Sequence, residues 1–304
     1  MNRGDSTTEG MAILAILIII MVIMPKGNFS SPANSSKGST SNTSGENVGV
    51  PNSSYAGKVS IGTGNASYAY QSYEEYITIY NRGIDPLDIT NWQLVNGKDE
   101  RAYNLGGGNL QHFPSDTATI PKAALFISPS GNNILENTIL QSGENAIITT
   151  GKIGSQSPYK IVSFKENICS GYLEDLSEYE FTPSLDRNCP RPGEEPGVKN
   201  LDTDCRKFVE RMSSCRTPEF ETRDRNGNIC YKCVDGTPLS SSCVAFIKNH
   251  FNYGSCIANH VSDKDFSKNT WRIFLNKGWE MWAKDYETIE LFDQFGRLVD
   301  SHSY

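Results

Sequence analysis

The 304-residue chain has no cysteine before Cys169 and none after Cys256. It has no G-x-S-x-G, no phosphate-loop signature and no H-E-x-x-H, so the common routes to a serine nucleophile, a cradled nucleotide or a zinc hydrolase are missing. Its four histidines are His112, His250, His260 and His302. None stands in a catalytic motif, and each reads as a surface or packing residue. The Gly106-Gly107-Gly108 run does not lead into a helical pattern, which argues against phosphate binding at a helix start. There is no basic excess either: 28 Lys and Arg face 35 Asp and Glu, for a formal net charge of −7. That balance argues against nucleic acid as a partner, because phosphate contacts need clustered cations. The expectation from these absences is a protein that is not an enzyme, with no metal and no cofactor.

What is present is sorted along the chain. Met11 to Met24 is an unbroken apolar run of fourteen residues. As a helix it would be about 21 Å long at about 1.5 Å per residue, short against a hydrocarbon core of about 30 Å. Residues 1–27 are therefore expected to be an N-terminal apolar helix serving as membrane anchor or signal, with residues 11–24 meeting the membrane. Arg3 to Glu9 leads directly into the run and resembles the class III signal of type IV pilin-like proteins. Gly4 stands where that family is cleaved, and Glu9 at the fifth position after it. Residues 28–57 are dominated by Ser, Thr, Asn and Gly without apolar periodicity, as in a flexible tether that cannot offset its ordering entropy. N-x-S/T patterns at Asn28, Asn34, Asn42, Asn52 and Asn65 would be exposed glycan acceptors if the host glycosylates.

From Lys58 the chain turns β-like. Glu75 to Asn81 alternates aromatic and β-branched residues, and Arg82 to Pro86 is turn chemistry. Leu87 to Leu94 alternates again, with Leu87, Ile89, Trp92 and Leu94 inward. Ile120 to Ile127 and Asn145 to Thr149 read as further short strands. Near the end, Thr270 to Leu275 and the pair around Asp293 to Gly296 repeat the pattern. The run from Glu74 to Leu94, with Asp88, Ile89, Thr90, Trp92 and Leu94, resembles the opening of a lamin-tail domain. Asp285 to Tyr304 resembles that family's closing hairpin. The resemblance implies an immunoglobulin-like β-sandwich made of residues 58–165 and 270–304, with binding or structural roles and no catalytic residues.

Residues 166–269 would interrupt that sandwich as a cysteine-rich α+β insert. It holds all eight cysteines, Cys169, Cys189, Cys205, Cys215, Cys230, Cys233, Cys243 and Cys256. An even number packed together is the pattern of a disulfide framework in an oxidising compartment. Cys169 with Cys189, and Cys243 with Cys256, are the first pairs to try. A helix capped by Asp202, a hairpin around Asn226-Gly227 and a helix over Ser242 to Phe251 are expected inside it. With few large aliphatics, the insert is expected to rely on cross-links in place of core. Cys230-Tyr231-Lys232-Cys233 is a C-x-x-C. A redox site would need a helix N-terminus beside it, and zinc could combine Cys230, Cys233, Cys256 and His260, but structural disulfides are the favoured reading. Asp224 to Asn228 lacks spaced acidic ligands and reads as a turn, not a calcium loop.

Trp271, Trp279, Trp282 and Tyr286 crowd one stretch. Packing accounts for most of them, and Trp279 and Trp282 are the aromatics that could serve a binding patch. The functional expectation is a non-enzymatic binding or structural module held outside the cytoplasm on a membrane-anchored tether. Its ligand would be an extracellular protein or glycan. A pilin-like assembly subunit, and an exported hydrolase or redox enzyme with its site in the insert, are the alternatives.

Overall fold

A computed structural model describes residues 52–304 apart from 98–101, 105–109, 113–115, 155, 221, 225 and 235. The expected anchor at 1–27, most of the expected tether and Gly106 to Gly108 lie outside these residues. Among the described residues no helix is long and apolar enough to cross a membrane.

The chain is mainly β. Before the insert run β1 (Val59–Gly62), β2 (Tyr76–Asn81), β3 (Leu87–Asp88), β4 (Gln93–Asn96), β5 (Ala102–Asn104), β6 (Leu110–His112), β7 (Thr117–Thr119), β8 (Ala123–Ala124), β9 (Leu135–Glu136), β10 (Ile139–Leu140), β11 (Asn145–Thr149) and β12 (Phe164–Asn167). The insert adds α1 (Gly171–Glu174), α2 (Thr203–Val209), β13 (Thr222–Arg223), β14 (Ile229–Cys230), β15 (Cys233–Val234), β16 (Thr237–Pro238), α3 (Ser241–His250) and α4 (Tyr253–His260). Then follow β17 (Ser267–Phe274), β18 (Thr288–Phe292) and β19 (Leu298–Ser303).

Two sheets share one core. The larger has the order β1-β2-β11-β17-β12-β8-β9, the smaller β19-β18-β4-β7. Most neighbours are antiparallel, but β17 lies parallel to β11. Leu87, Ile89, Trp92 and Leu94 are all buried, but not as one alternating strand: β3 ends at Asp88, Asn91 turns the chain at a φ of 64°, and the phase shifts before β4 begins at Gln93. They join Ile77, Ile79, Ile148, Ile273, Ile289 and Leu291 in one cluster fed by both sheets. Period-2 patterning puts these side chains on the inner faces. Trp92 fills the centre, with Nε1 donating to Gln294 Oε1 at 2.9 Å and its ring 5.2 Å from that of Tyr55. Segments from before and after the cysteine-bearing stretch meet here: β4 pairs with β18, and Leu94 stands opposite Leu291. The stretch Ile120 to Ile127, expected as a strand, pairs only at Ala123–Ala124. Pro121 has no N–H to give to a ladder.

The cysteine-bearing insert lies between β12, which ends at Asn167, and β17, which begins at Ser267. Three expectations hold. Asp202 caps α2, its Oδ1 accepting from Cys205 N at 2.9 Å. The hairpin β13–β14 turns at Gly227, whose φ of 85° suits glycine. The expected helix at 242–251 is α3. One expectation is corrected: the insert does have cores. Tyr172, Leu173, Phe181, Tyr253 and Ile257 bury with sheet residues Ala124, Phe164 and Phe274, and Phe208, Val209, Phe220, Ile247 and Phe251 form a further cluster. Aromatic side chains bury enough area each to replace the missing aliphatics.

The cross-links are Cys169–Cys256, Cys189–Cys215, Cys205–Cys243 and Cys230–Cys233. This corrects both trial pairs. Cys169 follows β12, and its partner Cys256 lies on α4, which packs back beside the point of departure. The bond thus closes the insert at its root. Gly171 is required nearby, because a Cβ there would collide with Cys215 Sγ. A buried arginine also ties the insert to the sheet, pairing with the neighbouring strand β12 and bonding to two insert carbonyls. Arg272 on β17 donates to Glu166 Oε1 at 2.5 Å and to the carbonyls of Pro183 and Ser184 at 2.6 and 2.8 Å.

Candidate functional site

The segment 275–287 joins β17 to β18 across the end of the two sheets. Asn276 and Tyr286 bracket it with φ of 58° and 57°, left-handed values that non-glycine residues seldom adopt. Such conformations persist where the surroundings over-determine them, and they concentrate at functional sites.

The surroundings here are specific. Glu75, fully buried just before β2, accepts from the backbone N–H groups of Met281 and Trp282 at 2.7 and 3.2 Å. Asn96 at the end of β4 donates to the carbonyl of Met281 at 2.6 Å. Glu287 accepts from Ala283 N at 3.0 Å, and the Tyr304 hydroxyl donates to the Ala283 carbonyl at 2.9 Å. Side chains from several elements therefore fix three consecutive residues. Burial pushes the Glu75 carboxyl up to about 7 from an ordinary 4.5, against the pull of the Met281 and Trp282 N–H groups.

What this scaffold presents is aromatic. Trp279 is 67% exposed and Tyr286 86%. The adjoining loop before β2 adds exposed Tyr68 and Tyr70, and Lys284 reaches from segment 275–287 to lie over the Tyr70 ring. The two loops thus meet, and their rings offer apolar faces with polar edges. Of the two tryptophans expected to serve a binding patch, only Trp279 is at the surface. Trp282 is in the sandwich core beside Met281, because the Glu75 bonds turn that part of the segment inward.

Asn65, expected as an exposed acceptor, is corrected as well. It is buried, with Nδ2 donating to the Glu74 carbonyl at 2.8 Å and Oδ1 accepting from Tyr76 N at 2.8 Å. Its amide is committed to holding the tyrosine loop. Asn52 is exposed.

Sequence reasoning missed a polar cluster in the insert. Glu195 accepts from His250 Nε2 at 3.1 Å and from His260 Nε2 at 3.0 Å, while His260 Nδ1 faces Asp263 at 2.7 Å. Both ring nitrogens of His260 face carboxylates, an arrangement that favours the imidazolium, which can donate to both. Burial lowers its pKa, but the Asp263 and Glu195 hydrogen bonds outweigh that and raise it. Burial raises Glu195, yet its histidine partners bring it below the ordinary carboxylate value. His250 and His260 each end a helix, where a cation is favoured by the helix dipole. That placement was the one signal available in the sequence.

The zinc set is not assembled. Cys230 and Cys233 bond to each other, Cys256 bonds to Cys169, and His260 is spent on its carboxylates. Among the described residues no group of three or more His, Cys, Asp or Glu is placed to hold a metal ion. Asp224 forms the expected turn, its Oδ1 accepting from Asn226 N and Asn228 N at 2.9 Å each. His302 is exposed. All eight cysteines are paired, consistent with an oxidising, extracellular-type environment. No family model matches the chain, and no curated protein or solved structure does so either.

Proposed function

We propose that the chain is a non-enzymatic module displayed outside the cytoplasm on a membrane-anchored tether, and that its head is an immunoglobulin-like sandwich of the lamin-tail kind that binds an extracellular glycan. The observation that carries the reading is the aromatic end of the head. Trp279, Tyr286, Tyr68 and Tyr70 are exposed on loops whose backbones are fixed by buried hydrogen bonds. Exposed rings on a rigid support contribute contact area at little ordering cost. The lamin-tail reading is supported by the pairing of the Trp92-bearing opening strand with the closing hairpin. Display outside the cytoplasm is supported by the disulfides and by the apolar run that precedes a polar tether.

The test is a glycan array probed with the head, followed by titration of Trp279→Ala and Tyr286→Ala. A central aromatic contributes about 2 kcal/mol or more, so Trp279→Ala should weaken binding by about thirtyfold. A head that binds no glycan, or that binds equally well without Trp279, would sink the reading. Binding to a protein through the same rings would move the ligand class to protein.

A further inference from the structure

We propose that Cys230–Cys233 is an exchangeable disulfide that oxidises a dithiol-bearing polypeptide docking on the exposed apolar side chains beside Cys230. The first observation is accessibility. Among the eight half-cystines, seven are buried and Cys230 alone is part-exposed. Exchange begins with a thiolate reaching a sulfur, so access decides which disulfide reacts. The second is that the bond is a poor staple. Its cysteines are three positions apart, against 26, 38 and 87 for the others. A bond that closes so short a loop restricts the unfolded chain least. The strands on either side are already paired, β13 with β14 and β15 with β16.

The third observation is what lies beside it. Ile229 and Tyr231, 63% and 68% exposed, flank the accessible cysteine. Their apolar surfaces offer contact to a polypeptide at the one part-exposed half-cystine. The pair is asymmetric, with Cys230 part-exposed and Cys233 buried.

A substrate thiolate attacks Cys230 Sγ. The Cys230–Cys233 bond breaks, Cys233 leaves as a thiolate, and a mixed disulfide forms at Cys230. A second substrate thiolate then attacks the substrate sulfur of that bond and expels Cys230. The substrate loses two electrons and two protons and gains a disulfide. Cys230 and Cys233 gain both electrons and end as thiols. Each head performs this once, unless a low-molecular-weight disulfide reoxidises the pair.

The test uses the full chain in mild detergent. Stepwise dithiothreitol with differential alkylation and peptide mapping should label Cys230 and Cys233 before any other cysteine. A reduced dithiol peptide carrying an apolar residue should be oxidised in stoichiometric amount by the wild type and not by C230S/C233S. With the same peptide supplied as its disulfide, C233S should trap a mixed disulfide at Cys230 that C230S does not form. Earlier reduction of any other pair, or equal oxidation by C230S/C233S, would overturn the proposal. The alkylation order is read on the wild type and decides the question even if a variant fails to fold.

Discussion

Between Val59 and Leu140 the chain has no cysteine and buries its core by strand alternation, with Ile77, Ile79, Ile89, Trp92 and Leu94 pointing inward. Between Cys169 and Cys256 the regular elements are short, and the cores form around the half-cystines themselves. Cys169, Cys189, Cys215 and Cys256 lie in one cluster and Cys205 with Cys243 in the other. The sandwich is thus specified by local pattern, and the insert by a few long-range covalent and polar contacts. Damage should follow the same division: a hydrophobic truncation for the first, a lost cross-link for the second.

The largest expected effect is loss of the bond at the root of the insert. Cys169–Cys256 spans 87 positions, for which loop-closure entropy gives about 4.5 kcal/mol, against about 2 kcal/mol for a bond closing a four-residue loop such as Cys230–Cys233. C169A/C256A should therefore lower stability in urea more than twice as much as C230S/C233S. Equal losses would mean that the insert is not held by its root. Trp92→Ala comes next, at about 4 kcal/mol, because a fully buried indole leaves a large void. Peptide mapping of that variant should still find all four disulfides. Scrambled cysteines would show that the insert cannot form without the sandwich, and the division between the two would fall.

The same contrast explains what could be read from the sequence. The burial of Leu87 with Ile89, and of Trp92 with Leu94, was legible because apolar residues two apart share a side, whereas the left-handed turn at Asn91 that shifts the phase between the two pairs was not. The hairpin at Asn226-Gly227 and the Asp202 cap were legible because turn and cap chemistry is local. The disulfide partners were not, since Cys169 meets Cys256 only through the path of everything between them. Glu195 meets His250 and His260 from 55 and 65 positions away, and no short window contains that geometry. Glu75 reads as an ordinary first residue of a strand. Only its burial against Met281 and Trp282, more than 200 positions on, makes it a structural carboxylate. Trp279 and Trp282 look equivalent in sequence, and hydrogen bonds to the backbone at Met281 and Trp282 leave one out and turn the other in.

The smallest expected effect concerns acid, and in it the buried carboxylates of the two regions respond with opposite sign. Glu75 has a folded pKa of about 7 against an ordinary 4.5, so the folded sandwich holds this proton more tightly than the unfolded chain. Its contribution is greatest below pH 4.5 and is lost as pH rises toward 7. Glu195 is shifted the other way, so its contribution is present above pH 4.5 and lost as pH falls through its lowered folded value. His260, raised by Asp263 and Glu195, contributes below its ordinary 6.5 and loses that as pH rises through its folded value. Rising from pH 4.5 to 6.5 should therefore loosen amide protection at Met281 and Trp282 while α4 stays protected. Falling below pH 4.5, through the lowered Glu195 value, should loosen α4 while Met281 and Trp282 stay protected. Hydrogen exchange read at those two places checks both. Glu75→Gln should abolish the first trend, and Glu195→Gln the second. If Glu75→Gln leaves the slope at Met281 and Trp282 unchanged, the carboxyl is not what pins the aromatic loop, and the rigidity of its support would need another source.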